Sequence, residues 1–530
     1  MSNTKITTCN DTKNPQNFQL SLPMNVDYFI VDDESIRTMI EITERLDYSK
    51  LNASYKRQPK KEEATPKQMF QLVILGFMNG TYSLRALESK SRYDIRFLHI
   101  LKGKPTPDHN RFWSFIKHRL QGEVMENLFY QLVHYLKETG EIELVNLFVD
   151  GTKIEANANR YSFVWKKSTN KFEARLDVKI EAFKEEILVS YPFHIKEDMT
   201  LVDCLNTLRG YAKDTGITFV YGRGKRKTQI QRDIELLTNY TTRKTKYEGY
   251  NHTFKGRNSF SKTDTDATFM RMKDDHMMNG QLKPGYNLQL GVEGEYIVGI
   301  DVTSERSDVL TLLPLLERME EGIGARHKNI IADAGYESEE NYKGLAQREQ
   351  IGYIKPQNYE KSKKRKYKNN AYLRENMAYN EIDDTYSCPN GNLFIFSYTY
   401  KRKSRSGFIS EISVYECHGC NECPLKPNCT RAKNNRTLHV SKDFVKLRQA
   451  ARALITTDEG KELRMNRSIQ VEGAFGVLKQ DYGFRRLLRR KKEGVTTEIL
   501  LYAFAFNINK RHNKNERDFQ GVIRHELKVS

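Results

Sequence analysis

Two short apolar runs in this 530-residue chain each stop at an aspartate, and that pattern constrains the fold more than any other. Residues 144–149 (LVNLFV) end at Asp150-Gly151, and residues 329–332 (NIIA) end at Asp333. Apolar runs this short, bounded by turn residues, read as buried strands. Between them, residues 286–292 and 296–302 flank Glu293-Gly294-Glu295, a hairpin signal, and residues 308–319 read as a helix capped by Ser307. After Asp333 come a helix near 338–347 and a strand at 352–354, and from about residue 443 a helical region carries Glu472. The order is strand, insertion, strand, strand, helix, strand, helix, strand.

That order fits an α/β chain with an RNase H-like mixed-sheet core, in which the first and fourth strands carry acids side by side and the last helix supplies a third. Two-metal phosphoryl transfer needs carboxylates converging from different elements, because Mg²⁺ takes oxygen ligands and keeps several waters. Asp150 and Asp333 have the strand-end placement, and Glu472 has the helix placement. Lys479 follows Glu472 by seven residues, which puts acid and ammonium on one face of a continuous helix. Glu155, Asp301 and Glu337 are rivals by position. Each acid alone is as readily a turn or cap residue, so the joint topology carries the triad.

Composition points the same way. Lys+Arg 87 against Asp+Glu 68 gives a net charge of +19, the footprint of a nucleic-acid partner or simply of a soluble basic protein. No apolar run approaches the ~20 residues of a membrane span, and the polar start MSNTKITTCNDTKNPQNF lacks a signal-peptide core. The expectation is a cytoplasmic protein, whose seven cysteines are metal ligands or buried thiols rather than disulfides. Cys417, Cys420, Cys423 and Cys429 follow the spacing C-x2-C-x2-C-x5-C, with Cys388 upstream. Such thiols suit structural Zn²⁺, five candidates competing for four places; unligated thiols are the alternative. Cys9 and Cys204 read as ordinary.

The chain divides by pattern into a helical N-terminal DNA-binding domain (1–140), core segments (141–160, 262–356, 440–512), an inserted helical hairpin (161–261), a cysteine-rich insertion (357–439) and a tail (513–530). The N-terminal helices suit a helix-turn-helix-like region or a plain bundle equally. In the hairpin, Phe172, Leu176, Ile180, Phe183 and Ile187 mark one amphipathic helix and residues 229–237 its partner. Tyr161, Phe163 and Trp165 alternate beside Lys166 and Lys167, placing three rings on one face to stack on an unpaired base or to be buried under the insertion. Arg467, Arg485, Arg486 and the run Arg489, Arg490, Lys491, Lys492 are candidate DNA contacts or solvated faces.

Three motifs resemble bacterial insertion-sequence DDE transposases. Phe148-Val149-Asp150-Gly151-Thr152-Lys153-Ile154-Glu155-Ala156-Asn157 with Tyr161-Ser162-Phe163-Val164-Trp165 resembles their first-acid region, Ile331-Ala332-Asp333-Ala334-Gly335-Tyr336 their second, and Val471-Glu472-Gly473-Ala474-Phe475-Gly476-Val477-Leu478-Lys479 their third. The third has the Glu-to-Lys spacing of the YREK signature, but Ser468 and Met465 stand where that signature has Arg and Tyr, and Arg467 is the nearest base. The resemblance implies metal-dependent cleavage at transposon ends and strand transfer to target DNA, with Asp150, Asp333 and Glu472 on Mg²⁺ or Mn²⁺ and Lys479 on phosphate. It further implies a cysteine-containing insertion that raises the zinc expectation, double-stranded DNA with terminal inverted repeats as substrate, a hairpin intermediate, a homodimer on DNA and a place in the bacterial nucleoid. The alternative function is a non-catalytic DNA-binding protein of the same descent.

Overall fold

The computed structural model describes residues 30–31, 34–57, 59–222, 224–272, 280–481 and 483–526, so Cys9 lies outside the described residues. The centre is a six-stranded mixed sheet. Its strands are β1 (Asn146–Glu155), β2 (Leu282–Glu293), β3 (Tyr296–Thr303), β4 (Asn329–Ala332) and β5 (Ile351–Ile354), with the short strand Thr268–Arg271 beside the start of β2. β2 pairs antiparallel with both β1 and β3, whereas β4 and β5 run parallel to β1. β3–β2–β1–β4–β5 is therefore the order across the sheet, that of an RNase H-like core. Helices cover the sheet, so the strands are apolar on both sides rather than alternating, as β3 is almost throughout.

Five helices belong to this core: α1 (Leu312–Ile323), α2 (Glu339–Gln347), α3 (Lys442–Thr456), α4 (Asp458–Gly476) and α5 (Lys492–Glu516). The spacing of apolar residues over 496–510 predicts a one-sided amphipathic helix, yet α5 is buried all round from Gly494 to Ile508. It lies between β3 and the N-terminal helix Pro66–Met78, which is itself almost wholly buried. A helix sandwiched between two layers needs no polar face. Phe70 and Phe504 meet edge to face at 5.2 Å across that seam, a contact worth roughly 0.5–1.5 kcal/mol beyond its area. The N-terminal helices thus share one continuous core with the sheet.

The two insertions are richer than their sequence patterns suggest. Instead of a hairpin, the described residues of the first form three helices, Lys166–Ser190, Leu201–Asp214 and Gln229–Phe254, around their own apolar cluster. Thr200 and Asp203 form a reciprocal cap that starts the middle one. The second insertion contains a five-stranded antiparallel sheet whose longest hairpin pairs Leu393–Lys403 with Ile409–Cys417. At the other end of the chain, the expected tail is strapped to α4: Asn466 Nδ2 donates to His525 O at 2.8 Å and Gln470 Nε2 to Ile523 O at 2.9 Å. Among the described residues no helix is long and apolar enough to cross a membrane.

Candidate active site

β1 and β4 are parallel neighbours with Val149 opposite Ala332, so the next residue on each, Asp150 and Asp333, emerges side by side. Neighbouring strands lie about 4.8 Å apart, which brings the two carboxylates to one edge of the site. Asp150 Oδ1 accepts the Gly151 N–H at 2.7 Å. Asp333 caps the 3₁₀ turn Ala334–Tyr336, accepting the Gly335 N–H at 2.7 Å. Both are half-buried.

α4 packs on β1, β2, β4 and β5. Its buried stripe includes Leu463, Asn466, Gln470, Val471 and Ala474. On another side, Lys461, Arg464, Met465, Arg467 and Ser468 line a cleft of about 370 Å³ with Asp333 and Lys355. Glu472 is exposed and lies one turn beyond Ser468 on the stripe of Lys461, Met465 and Ser468. Arg467 reaches further and pairs with Asp150, Nη1 to Oδ2 at 3.2 Å. Where the YREK signature has Tyr and Arg, this cleft instead draws positive charge from Lys355, Lys461, Arg464 and Arg467.

Lys479 does not continue an α-helix from Glu472. α4 stops at Gly476 and Val477–Asp481 winds as a π-turn. The wider winding changes the angular step per residue, so the seven-residue spacing does not by itself put acid and lysine on one face.

Beneath the acids lies a polar layer that the sequence patterns did not bring out. Gln289 stands opposite Gly151 across the β1–β2 pair. Its Oε1 accepts from the Tyr336 hydroxyl, and its Nε2 donates to Asp308 Oδ1 at 3.1 Å. Asn287 Nδ2 donates to the same oxygen at 2.7 Å. Tyr336 is fully buried; burial first, then the charges of Asp308, Asp150 and Asp333, push its phenol well above the usual range. A signal was present: Asn287 and Gln289 alternate with Leu288 and Leu290 in the buried part of the strand.

The rival acids have other roles. Glu155 pairs with Arg160 at 3.3 Å and Lys283 at 3.2 Å. Glu337 takes both arms of Arg448, at 2.6 and 3.0 Å, and the Gln357 N–H at 2.8 Å. Asp301 is buried on β3, with Arg318 and Lys492 at 3.7 and 3.8 Å. Burial raises its pKa, against the opposing pull of Lys492 and Arg318.

The basic candidates divide. Arg485 is exposed. Arg486 is turned toward Ala156 O and Ala158 O at 3.4 and 3.3 Å, fastening its segment beside the end of β1. Arg489 is largely enclosed, and burial lowers its pKa while Glu498 opposes that shift. Arg490, Lys491 and Lys492 are exposed, and Arg490 and Lys491 face Trp113 and Lys117 across a cleft of about 670 Å³. Trp165 is half-buried: it and Phe163 both pack on Phe269, ring centroids 5.9 Å away, while Tyr161 is 81% exposed.

In the second insertion, burial and then the neighbouring Cys388 and Cys420 thiols push the Cys417 thiol well above its ordinary pKa. Cys429 Sγ accepts from Arg436 Nη1 at 2.9 Å, and Cys423 is half-buried. Among the described residues no three His, Cys, Asp or Glu side chains are arranged to hold a metal ion. The acid donors nevertheless suit a hard divalent cation in kind, all being carboxylate oxygens, and Arg467 already supplies positive charge at Asp150.

Two family models match the chain. One described as a transposase DDE domain covers residues 387–512, which include Cys388, Cys417, Cys420, Cys423, Cys429 and Glu472. Another, described as transposase domain (DUF772), covers residues 26–118 in the N-terminal helices. Both matched families are transposase families, which supports an insertion-sequence DDE transposase. No curated protein and no solved structure matches it. Both family matches lie outside β1 and β4, so Asp150 and Asp333 rest on topology and motif, and Glu472 alone of the three falls within a matched region.

Proposed function

We propose that this transposase cleaves phosphodiester bonds at the ends of its element and transfers the freed 3′ ends to target DNA, with Asp150, Asp333 and Glu472 holding Mg²⁺ or Mn²⁺. The observation that carries this reading is the parallel β1–β4 pairing, which sets Asp150 beside Asp333 under the helix bearing Glu472. A divalent cation bound there supplies a Lewis acid for the phosphate and lowers the pKa of a bound water. The chain's own groups do the rest. Lys355, Lys461 and Arg464 offset phosphate charge beside Asp333, Arg467 exchanges Asp150 for a phosphate oxygen when DNA enters, and Lys479 neutralises phosphate beyond Glu472.

Double-stranded transposon ends and target DNA are the substrates, and a homodimer on DNA is the working form. Arg485, Arg490, Lys491 and Lys492 serve as sequence-independent phosphate contacts, Arg486 and Arg489 hold the segment that presents them, and Trp165 flanks the DNA path. Cys388, Cys417 and Cys420 with Cys423 or Cys429 bind a structural Zn²⁺; thiol donors and their C-x2-C spacing support this.

The test is strand cleavage of an end-containing duplex with Mg²⁺. Asp150→Asn, Asp333→Asn and Glu472→Gln should each abolish cleavage and leave end binding nearly intact, because an amide keeps shape and loses the charge that holds a cation. Wild-type rates in any one variant would remove that residue from the site. A wild-type protein that binds ends and never cuts them would favour a non-catalytic descendant.

A further inference from the structure

Asp308 opens the single 3₁₀ turn Asp308–Leu310 soon after β3, and its carboxylate sits between two glycines, one from each acid-bearing segment. A Cβ at Gly151 would stand 2.9 Å from Asp308 Oδ1 and 2.5 Å from Gln289 Nε2, and one at Gly335 would stand 3.3 Å from Asp308 Oδ2. Glycine at both places lets the backbone next to Asp150 and Asp333 close on Asp308. A carboxylate only accepts hydrogen bonds. With Asn287 and Gln289 both donating to Asp308 Oδ1, at 2.7 and 3.1 Å, the Gln289 amide must turn its nitrogen to Asp308 and its oxygen away. That oxygen accepts from the Tyr336 hydroxyl. Tyr336 lies three residues after Asp333 and closes the turn that Asp333 caps. The hydrogen-bond chain therefore has a single polarity, running from Asp308 through Gln289 to the segment that presents Asp333.

We propose that Asp308 is a positioning residue of the acid site: through the Gln289 amide it fixes the Tyr336 hydroxyl, and thereby the turn that holds Asp333 beside Asp150. This rests on the acid-site reading above. The role asks for an acceptor oxygen at residue 308 and not for its charge. Acids that orient metal-binding groups from behind typically change metal affinity or activity by roughly 10–100-fold when removed.

The experiment uses the full chain and two readouts, Mn²⁺ binding followed by electron paramagnetic resonance without DNA, and strand cleavage of an end-containing duplex. Asp308→Ala and Tyr336→Phe should each weaken Mn²⁺ binding and slow cleavage roughly 10–100-fold. The double variant should be no worse than either single, because two links of one chain are not additive. Asp308→Asn keeps an acceptor oxygen and should stay close to wild type in both readouts. Wild-type behaviour of Asp308→Ala, losses that multiply in the double variant, or Asp308→Asn as impaired as Asp308→Ala would each overturn the relay. Should Asp308→Ala fail to fold, Tyr336→Phe and Asp308→Asn carry the same comparison. A wild-type protein that neither binds Mn²⁺ nor cuts would sink the acid-site reading itself. An inactive Asp150→Asn beside a wild-type Asp308→Ala would sink the relay alone.

Discussion

Arg467 Nη1 lies 3.2 Å from Asp150 Oδ2, so the helix that carries Glu472 is tied to Asp150 by a cation. The two side chains are only 16% and 14% exposed. A guanidinium bonded to a carboxylate competes with any metal for the same lone pairs.

Removing that competitor has a measurable sign. Arg467→Ala should tighten Mn²⁺ binding in the absence of DNA by roughly fivefold, about 1 kcal/mol and the upper end for an ion pair with solvent access. The same variant should slow cleavage, since the phosphate loses its guanidinium. A Mn²⁺ titration followed by electron paramagnetic resonance checks the first half; an unchanged affinity would show that the pair and the metal do not share Asp150.

The basic surface should separate by exposure. Replacing Arg485, Arg490 and Lys491 together by Ala should flatten the salt dependence of binding to an end duplex, by roughly 0.9 in log–log slope for each phosphate no longer neutralised. Arg489 is left out because it is enclosed beside Glu498, and its loss would disturb packing. Binding isotherms across a range of salt concentrations are the measurement, and an unaltered slope would move the DNA path elsewhere.

Asp301 should behave as a buried liability and not as a catalytic acid. Its folded pKa is raised by burial, so its protonated form suits the fold, and stability is lost as pH rises through that pKa. Asp301→Asn removes the titration. The variant should therefore gain on wild type as pH climbs above the ordinary aspartate range, while cutting DNA normally. Urea unfolding midpoints at several pH values test the sign, and loss of cleavage would return Asp301 to the candidate acids.

Native mass spectrometry should find about one Zn²⁺ per chain, the four-thiolate stoichiometry of a structural site. Cys417→Ser should lower that content and destabilise the second insertion, whose apolar cluster is small. A metal-free protein with unchanged stability would leave Cys388, Cys417 and Cys420 as packed thiols.

Most core strands were legible because they contain a short apolar run, and covered sheets demand such runs, but β1 continues past Asp150 to Glu155 and the strand Thr268–Arg271 was not expected. Asp150 and Asp333 stood out for the same reason: each is the first charge after a buried stretch. Helical spacing was equally readable at Leu176, Ile180, Phe183 and Ile187, all of which are buried. The middle helix of that insertion, Leu201–Asp214, carries a signal too, in the Thr200–Asp203 cap and the spacing of Cys204, Leu205, Leu208 and Ala212, although a two-helix hairpin was expected. At Lys479 spacing alone does not decide the face, because a π-turn is invisible to a count that assumes uniform winding.

By itself, then, the sequence determined where buried apolar stretches meet their first charge, which faces are apolar and which kinds of donor the site could offer, because these depend on neighbours along the chain; it did not show that β1 runs on past Asp150 to Glu155. Only the tertiary structure decided who meets whom. Asp308 is remote in sequence from both Gly151 and Gly335 and close to each in space. Arg467 meets Asp150 because α4 packs on β1. The N-terminal helices merge with the sheet because α5 buries both sides of itself between them. Such pairings follow from how layers stack and how strands register, and no local pattern encodes the distance between two elements that touch only once the chain has folded.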